Sequence, residues 1–206
     1  MIAVVNTGVG NLRSVLLALN RACPQVSVRI ASDRKTLRDA SKVVFPGQGS
    51  MRDCIERLNS LDMVDELRRC LVTKPFLGIC LGKQILFDYS EEGGSQGLGF
   101  LPGKVKRFKK KNAVKVPHMG WNEVEFNDNA NLLLSPSSKR RHFYFAHSYT
   151  FRVSHPVMIA ATVDYGIECV AAVRSETVFA TQFHPEKSHG TGINLLKEWI
   201  KNCVKN

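Results

Sequence analysis

The 206-residue chain has no run of about 18 apolar residues, so no segment is expected to span a membrane as a helix. It has no C-x-x-C pair. Its six cysteines, at positions 23, 54, 70, 80, 169 and 203, are scattered. That spacing argues against a zinc site and a disulfide framework, and it fits a reduced, cytoplasmic setting. Acidic residues are scarce, with 18 Asp and Glu against 29 Lys and Arg, a net charge of +11. Such an excess raises nucleic acid as a partner. Yet the charge is concentrated in residues 104–111 (KVKRFKKK), where six of eight residues are basic, and in Lys139-Arg140-Arg141. No recognition-helix pattern or aromatic RNA-binding motif accompanies it. We therefore read these runs as a solvated hairpin and loop, or as a surface complementary to an acidic protein, and expect neither nucleic acid nor membrane as partner. The opening MIAVVNTG lacks the basic start and long apolar core of a leader peptide and reads as a first strand. No repeat or linker breaks the chain, so one domain over 1–206 is expected.

What is present is alternation. Apolar, β-branched runs at 2–5, 26–30, 42–45 and 76–79 alternate with helical spacing at 11–23, 51–58, 63–72 and 81–89. Further strands are expected at 104–108, 121–126, 142–147, 158–163, 169–173 and 178–183, and a last helix over 192–204. Continuous apolar strands alternating with helices imply an α/β fold, a mostly parallel central sheet covered by helices on both faces, with an antiparallel β extension.

At 78–82 the chain reads Gly-Ile-Cys-Leu-Gly. The pattern G-x-C-x-G matches a nucleophile elbow with cysteine in place of serine. A sharp strand-to-helix turn lifts the sulfur clear of the sheet, and the glycines let neighbouring backbone approach. The turn also puts Cys80 at a helix N-terminus, where unpaired N–H groups favour thiolate, and lets the Leu81 N–H serve an oxyanion. On its own the pattern equally fits a buried structural cysteine between packing glycines. A second element shifts the balance. The expected strand over 178–183 runs into His184-Pro185-Glu186, and positions i and i+2 of an extended chain face one side. A carboxylate could then orient an imidazole, and the imidazole could deprotonate a thiol. Such a set forms acyl-enzymes from amides or esters.

GICLG followed by Lys83-Gln84, together with FHPE, resembles the triad, or class I, glutamine amidotransferases. The resemblance implies that Cys80 attacks the side-chain amide of glutamine, His184 shuttles protons and Glu186 orients it, with no metal or other cofactor. It gives Gln84 a contact to glutamine. Lys83 departs from the Met or His that relatives more often carry, a change expected to be tolerated. VVFPGQGS, residues 43–50, resembles the family's oxyanion strand, which puts Gly47 at the substrate and the backbone of Gln48 and Gly49 at the thioester oxygen. Gln48 replaces a smaller residue of many relatives. VPHMGWNEV (116–124), FYFAHSY (143–149) and NTGVGNLRSV (6–15) resemble the glutaminase subunits of imidazole glycerol phosphate synthases. There the backbone of His147, Ser148 and Tyr149 would hold the α-groups of glutamine. Asn11, Trp121, Tyr144 and Lys187 would meet a (β/α)8-barrel cyclase that receives the ammonia, and His118 would lie at or near that interface. Gly8-x-Gly10 lacks the third glycine of a dinucleotide loop, since Arg13 stands there. The same glutaminase serving another synthase, such as one amidating a surface sugar, and a stand-alone cysteine hydrolase remain as alternatives.

Overall fold

The structure, a computed structural model, describes residues 1–8, 10–109, 114–130 and 139–202. Its first half follows the expected alternation: β1 (Ile2–Val5), α1 (Leu12–Ala22), β2 (Val28–Ala31), α2 (Arg34–Asp39), β3 (Lys42–Gly47), α3 (Met51–Ser60), α4 (Val64–Thr73), β4 (Phe76–Cys80) and α5 (Leu81–Gln84). Strands then dominate: β5 (Phe87–Ser90), β6 (Ser95–Gln96), β7 (Leu101–Arg107), β8 (His118–Phe126), β9 (Arg140–His147), β10 (Tyr149–Val153), β11 (Ile159–Asp164), β12 (Glu168–Arg174) and β13 (Val178–Thr181). Helix α6 (His189–Asn202) follows.

Among the described residues, nine strands form one sheet in the order β2-β1-β3-β4-β13-β12-β11-β8-β9. The first five are parallel, and the remainder continue the sheet antiparallel. Period-2 alternation divides the parallel strands between two cores. Ile2, Val4, Val44 and Leu77 pack with Leu19, Leu195 and Trp199, the side of α1 and α6. Ala3, Val5, Val43, Phe45 and Phe76 pack with Leu37, Leu58 and Leu67, the side of α2, α3 and α4. Side-chain caps start three of the helices: Asn11, Asp33 and Ser50 accept from the N–H groups of Ser14, Thr36 and Asp53 at 3.1, 2.7 and 3.1 Å.

The main departure is after the cysteine. The helix expected over 81–89 stops at Gln84, and Phe87–Ser90 is a strand of a second sheet ordered β10-β7-β5-β6. The Leu98 N–H takes the Ile85 carbonyl at 2.6 Å, the Gly97 N–H takes the Asp88 carbonyl at 3.0 Å, and Asp88 Oδ2 accepts from Gly103 at 2.9 Å. Tertiary pairing thus claims groups that a longer helix would use. Three further elements were not anticipated: short α2, with Leu37 as its buried anchor, and strands β6 and β10. The final helix begins earlier than expected, at His189, and its expected end at 203–204 lies outside the described residues, as does Cys203.

The basic runs are largely paired where described. Lys106 lies 3.7 Å from Glu91, Lys139 3.1 Å from Asp128, Arg140 3.2 Å from Glu125 and Arg141 3.4 Å from Glu198. Lys110 and Lys111 lie outside the described residues. No helix among the described residues is long and apolar enough to cross a membrane.

Candidate active site

Cys80 ends β4 at the centre of the sheet, with φ 54° and ψ −104°. A side chain rarely adopts this backbone, at a cost of about 1–3 kcal/mol. The neighbouring glycines explain how the turn closes: a Cβ on Gly82 would overlap the Phe45 carbonyl, and one on Gly78 would overlap the Gly82 carbonyl. The elbow is therefore built as its spacing predicts. Helix α5 is a single turn that starts at Leu81, so the sulfur sits at its N-terminus without a long helix dipole behind it.

The partner residues come from beyond β13. His184 is fixed by its backbone, whose N–H donates to the Tyr144 carbonyl at 2.9 Å and whose carbonyl accepts from Ser188 Oγ at 2.6 Å. Its Nδ1 donates to Glu186 Oε1 at 2.8 Å. That bond leaves Nε2 as the basic nitrogen, and Nε2 has no hydrogen-bond partner of its own among the described nitrogen and oxygen atoms. Burial alone would push the His184 pKa down. The sulfur of Cys80, by its charge and hydrogen bonding, together with Glu186, outweighs that and raises it to about 10. The arrangement is a thiol, an imidazole and a carboxylate in series. It can activate sulfur and pass a proton onward.

Cys80 opens into a cavity of about 530 Å³. Leu81 and Gln84 form its floor beside the sulfur. Gln48, Gly49 and Ser50 form one wall, because β3 runs parallel to β4 with Gly47 opposite Cys80. His147, Ser148 and Tyr149 form the opposite wall, and Met119, Tyr144 and Lys187 stand at the same opening. Gly47 is buried behind this lining, where a Cβ would come within 3.1 Å of the Leu81 side chain. Glu92 and Pro117 also line the cavity and carry no local sequence signal. Nor was Gln182 anticipated, although its amide lies 3.5 Å from the Cys80 sulfur and it stands two residues before His184.

His147 is held by a chain of neutral imidazoles. Its Nδ1 donates to the Tyr149 carbonyl at 2.7 Å, so its Nε2 accepts, 3.0 Å from His118 Nδ1. His118 is stacked between Phe145 and Tyr165 at 4.5 and 3.9 Å between ring centres. Burial lowers the His118 pKa to about 4 and drives that of His147 to about 3. His118, expected at or near an interface, is 3% exposed and supports the cavity wall from behind, between Pro117 and Met119 of the lining.

Trp121 is exposed, stacked on His189 at 5.1 Å and edge-on to Tyr144 at 6.3 Å, while Lys187 Nζ stands 5.7 Å from the Tyr144 ring centre. Exposed Met119 adjoins them on β8. Asn11 caps α1, next to Gly10, which packs against Gly47 and Gln48. Lys83 is fully buried. Its Nζ donates to the Val170 carbonyl at 2.8 Å and stands 3.6 Å over the Phe151 ring, and burial lowers its pKa well below the ordinary lysine value.

The family model described as glutamine amidotransferase class-I matches residues 4–203. Imidazole glycerol phosphate synthase subunits HisH from Nitrosospira multiformis and Acinetobacter baylyi are each 42% identical to this chain, and each alignment covers 97% of both proteins. Among solved structures, a glutamine amidotransferase superposes with a TM-score of 0.76 at 20% identity, covering 100% of both chains. The Trypanosoma brucei CTPS glutaminase domain with bound acivicin superposes with a TM-score of 0.62 at 17% identity, over 100% of this chain and 94% of that one. Those two structures share the α/β fold.

Proposed function

This chain belongs to the class-I glutamine amidotransferases, among the HisH subunits of imidazole glycerol phosphate synthase, and from that premise we propose how its residues carry out the reaction. It is a glutamine-hydrolysing enzyme. Cys80 is the nucleophile, His184 the general acid and base, and Glu186 the carboxylate that fixes the imidazole. The observation that carries the reading is the 2.8 Å bond between His184 Nδ1 and Glu186 Oε1 beside a strained Cys80 at the cavity floor.

Glutamine enters with its side-chain amide over the sulfur. Gln84 and the backbone of 147–149 hold it, while Gly47, expected at the substrate, sits behind Leu81 and does not line the cavity. Glu92, the one carboxylate lining the cavity among the described residues, suits its α-ammonium group. With its pKa raised to about 10, His184 already carries the proton on Nε2 when the Cys80 sulfur attacks the amide carbon. Backbone N–H groups of Gln48, Gly49 and Leu81 receive the oxyanion. His184 then protonates the departing nitrogen, ammonia leaves, and a γ-glutamyl thioester remains. Water, deprotonated by His184, releases glutamate and restores the thiol.

The ammonia passes to a (β/α)8-barrel cyclase subunit, which uses it to make imidazole glycerol phosphate and an aminoimidazole carboxamide ribotide. Free in neutral water it would become ammonium and lose its nucleophilicity, so delivery across an interface suits the chemistry. Asn11, Trp121, Tyr144 and Lys187 are the residues we assign to that interface: Tyr144 and Lys187 line the cavity, and exposed Trp121 meets Tyr144 edge-on. The whole chain, 1–206, acts as one domain in the cytoplasm. Glutamate release from glutamine tests the reading, measured for the chain alone and then with its cyclase carrying ligand. A low rate alone and a large rise in the complex are expected, with Cys80→Ala abolishing both. A full rate without the cyclase would remove the ammonia-donor reading.

A further inference from the structure

Gln182 touches the reacting sulfur from outside the triad. Its amide Nε2 lies 3.5 Å from Cys80 Sγ, and the residue is 1% exposed. The backbone holds it firmly: the Gln182 N–H donates to the Ala171 carbonyl at 2.7 Å, tying it to β12 just past the end of β13. Its neighbours point elsewhere. Thr181 Oγ1 donates to the Phe183 carbonyl at 2.9 Å, and Phe183 stacks on Phe143 at 4.0 Å. Gln182 and His184, both past the end of β13, each reach the Cys80 sulfur.

We propose that Gln182 is a further catalytic residue, a hydrogen-bond donor that stabilises negative charge on the Cys80 sulfur. The inference rests on the glutaminase reading above. A buried thiolate needs donors or a cation in place of water. His184 supplies a cation only while it carries the proton. In acylation that proton passes from Nε2 to the departing nitrogen, as the S–C bond forms and the C–N bond breaks. In deacylation a water proton goes to Nε2, the water oxygen bonds to the carbonyl carbon, and the S–C bond breaks with its electron pair returning to sulfur. The amide N–H of Gln182 is exchanged in none of these steps, so its donation persists through both half-reactions. The side chain is also poorly suited to a purely structural role. Its Oε1 is buried without a partner among the described residues, and an apolar side chain of similar size would avoid that cost.

Two variants of the full chain test this. Gln182→Leu removes the donor, and Gln182→Glu keeps the shape while replacing the donor with a repelling charge. Iodoacetamide labelling of Cys80 at neutral pH, located by mass spectrometry, reads the sulfur without any glutamine. Loss of one charge-assisted hydrogen bond should slow labelling about tenfold in the leucine variant, and the glutamate variant should be slower still. In the complex with the cyclase, kcat for glutamine should fall by a similar factor while KM changes little. Circular dichroism and the thermal midpoint check that both variants are folded. A folded leucine variant that labels as fast as the parent overturns the proposal, as does a glutamate variant faster than the leucine one. Slowed labelling in the variants of a parent that releases no glutamate would uphold the donor and defeat only the glutaminase reading.

Discussion

His184 and Glu186 are two residues apart in the chain, and their side chains meet at 2.8 Å while both are almost fully buried. The carboxylate does two things to the imidazole. It fixes the tautomer that leaves Nε2 for the sulfur, and its charge helps raise the His184 pKa to about 10 against the opposing effect of burial. Glu186→Gln keeps the shape and removes the charge. The protonated ring loses a stabilising partner, so the His184 titration followed by NMR should move down in pH. Turnover of glutamine should fall by about a hundredfold or more, since a general base loses both orientation and basicity. An unshifted titration would show that Cys80 alone holds the proton on His184.

The imidazole pair behind the cavity wall predicts an acid-side instability. His118 and His147 have folded pKa values of about 4 and about 3, below the ordinary value of 6.5. The unfolded chain therefore binds more protons between these limits. Stability from the pair is complete above about pH 6.5 and is lost as pH falls through 4. His118→Phe keeps the stacking with Phe145 and Tyr165 and removes one of the titrating groups. The thermal midpoint of the variant should depend less steeply on pH between 6.5 and 4. The variant also leaves His147 Nε2 without its donor, which should cost about 1–3 kcal/mol at neutral pH. It should raise the KM for glutamine more than it lowers kcat. An unchanged slope in acid would remove His118 from the account.

Lys83 is the counterpart in the core. It occupies the elbow helix fully buried, where solvation cannot support its charge. With its folded pKa far below 10.5, the unfolded state binds the extra proton across most of the accessible range, so this lysine destabilises the fold most at low pH and least near pH 10.5. Lys83→Met replaces the amine with an apolar chain of similar length. It forfeits the 2.8 Å bond to the Val170 carbonyl but removes the desolvation cost. The balance should favour the variant by about 1 kcal/mol near neutrality, with the gain shrinking as pH rises. Thermal melts from pH 6 to 10 check it, and a destabilised variant would mean that the Val170 and Phe151 contacts outweigh burial of the amine.

How far the site could be read from the sequence follows from how local each residue's constraint is. Cys80 was legible because an elbow needs small residues at fixed offsets, and Gly78 and Gly82 supply them. His184 and Glu186 were legible as a close pair in sequence, but a 3-10 turn over Pro185–Lys187, and not the extended step expected, brings them together. Gln182 lies two residues before His184, yet glutamine before a histidine has many other uses, and only its 3.5 Å approach to sulfur gives it meaning. Glu92 and His118 reach the site through the second sheet and through β8–β9 pairing, and no spacing in the chain announces that. The helix expected over 81–89 failed for the same reason: the carbonyls of residues 85–88 are claimed by backbone N–H groups nine to fifteen positions away.

The exposed Trp121 predicts where docking energy concentrates. It is 46% exposed, although it stacks on His189 and meets Tyr144 edge-on, and Met119 beside it on β8 is 65% exposed. Aromatic side chains presented this way beside a cavity mouth are the ones that dominate binding when a partner covers them. Lys187, over the Tyr144 ring, adds a cation at the edge of the same patch. Trp121→Ala should therefore weaken binding of the proposed cyclase partner by about 2 kcal/mol, roughly thirtyfold in Kd, with little change in the thermal midpoint of the isolated chain because the ring is 46% exposed. Lys187→Ala should cost less affinity but should reduce the rise in glutamate release on adding ligand-loaded cyclase. Titration calorimetry separates the two effects. Equal affinity for the Trp121 variant would place the docking surface elsewhere, and the open patch beside Cys80 would then need another occupant.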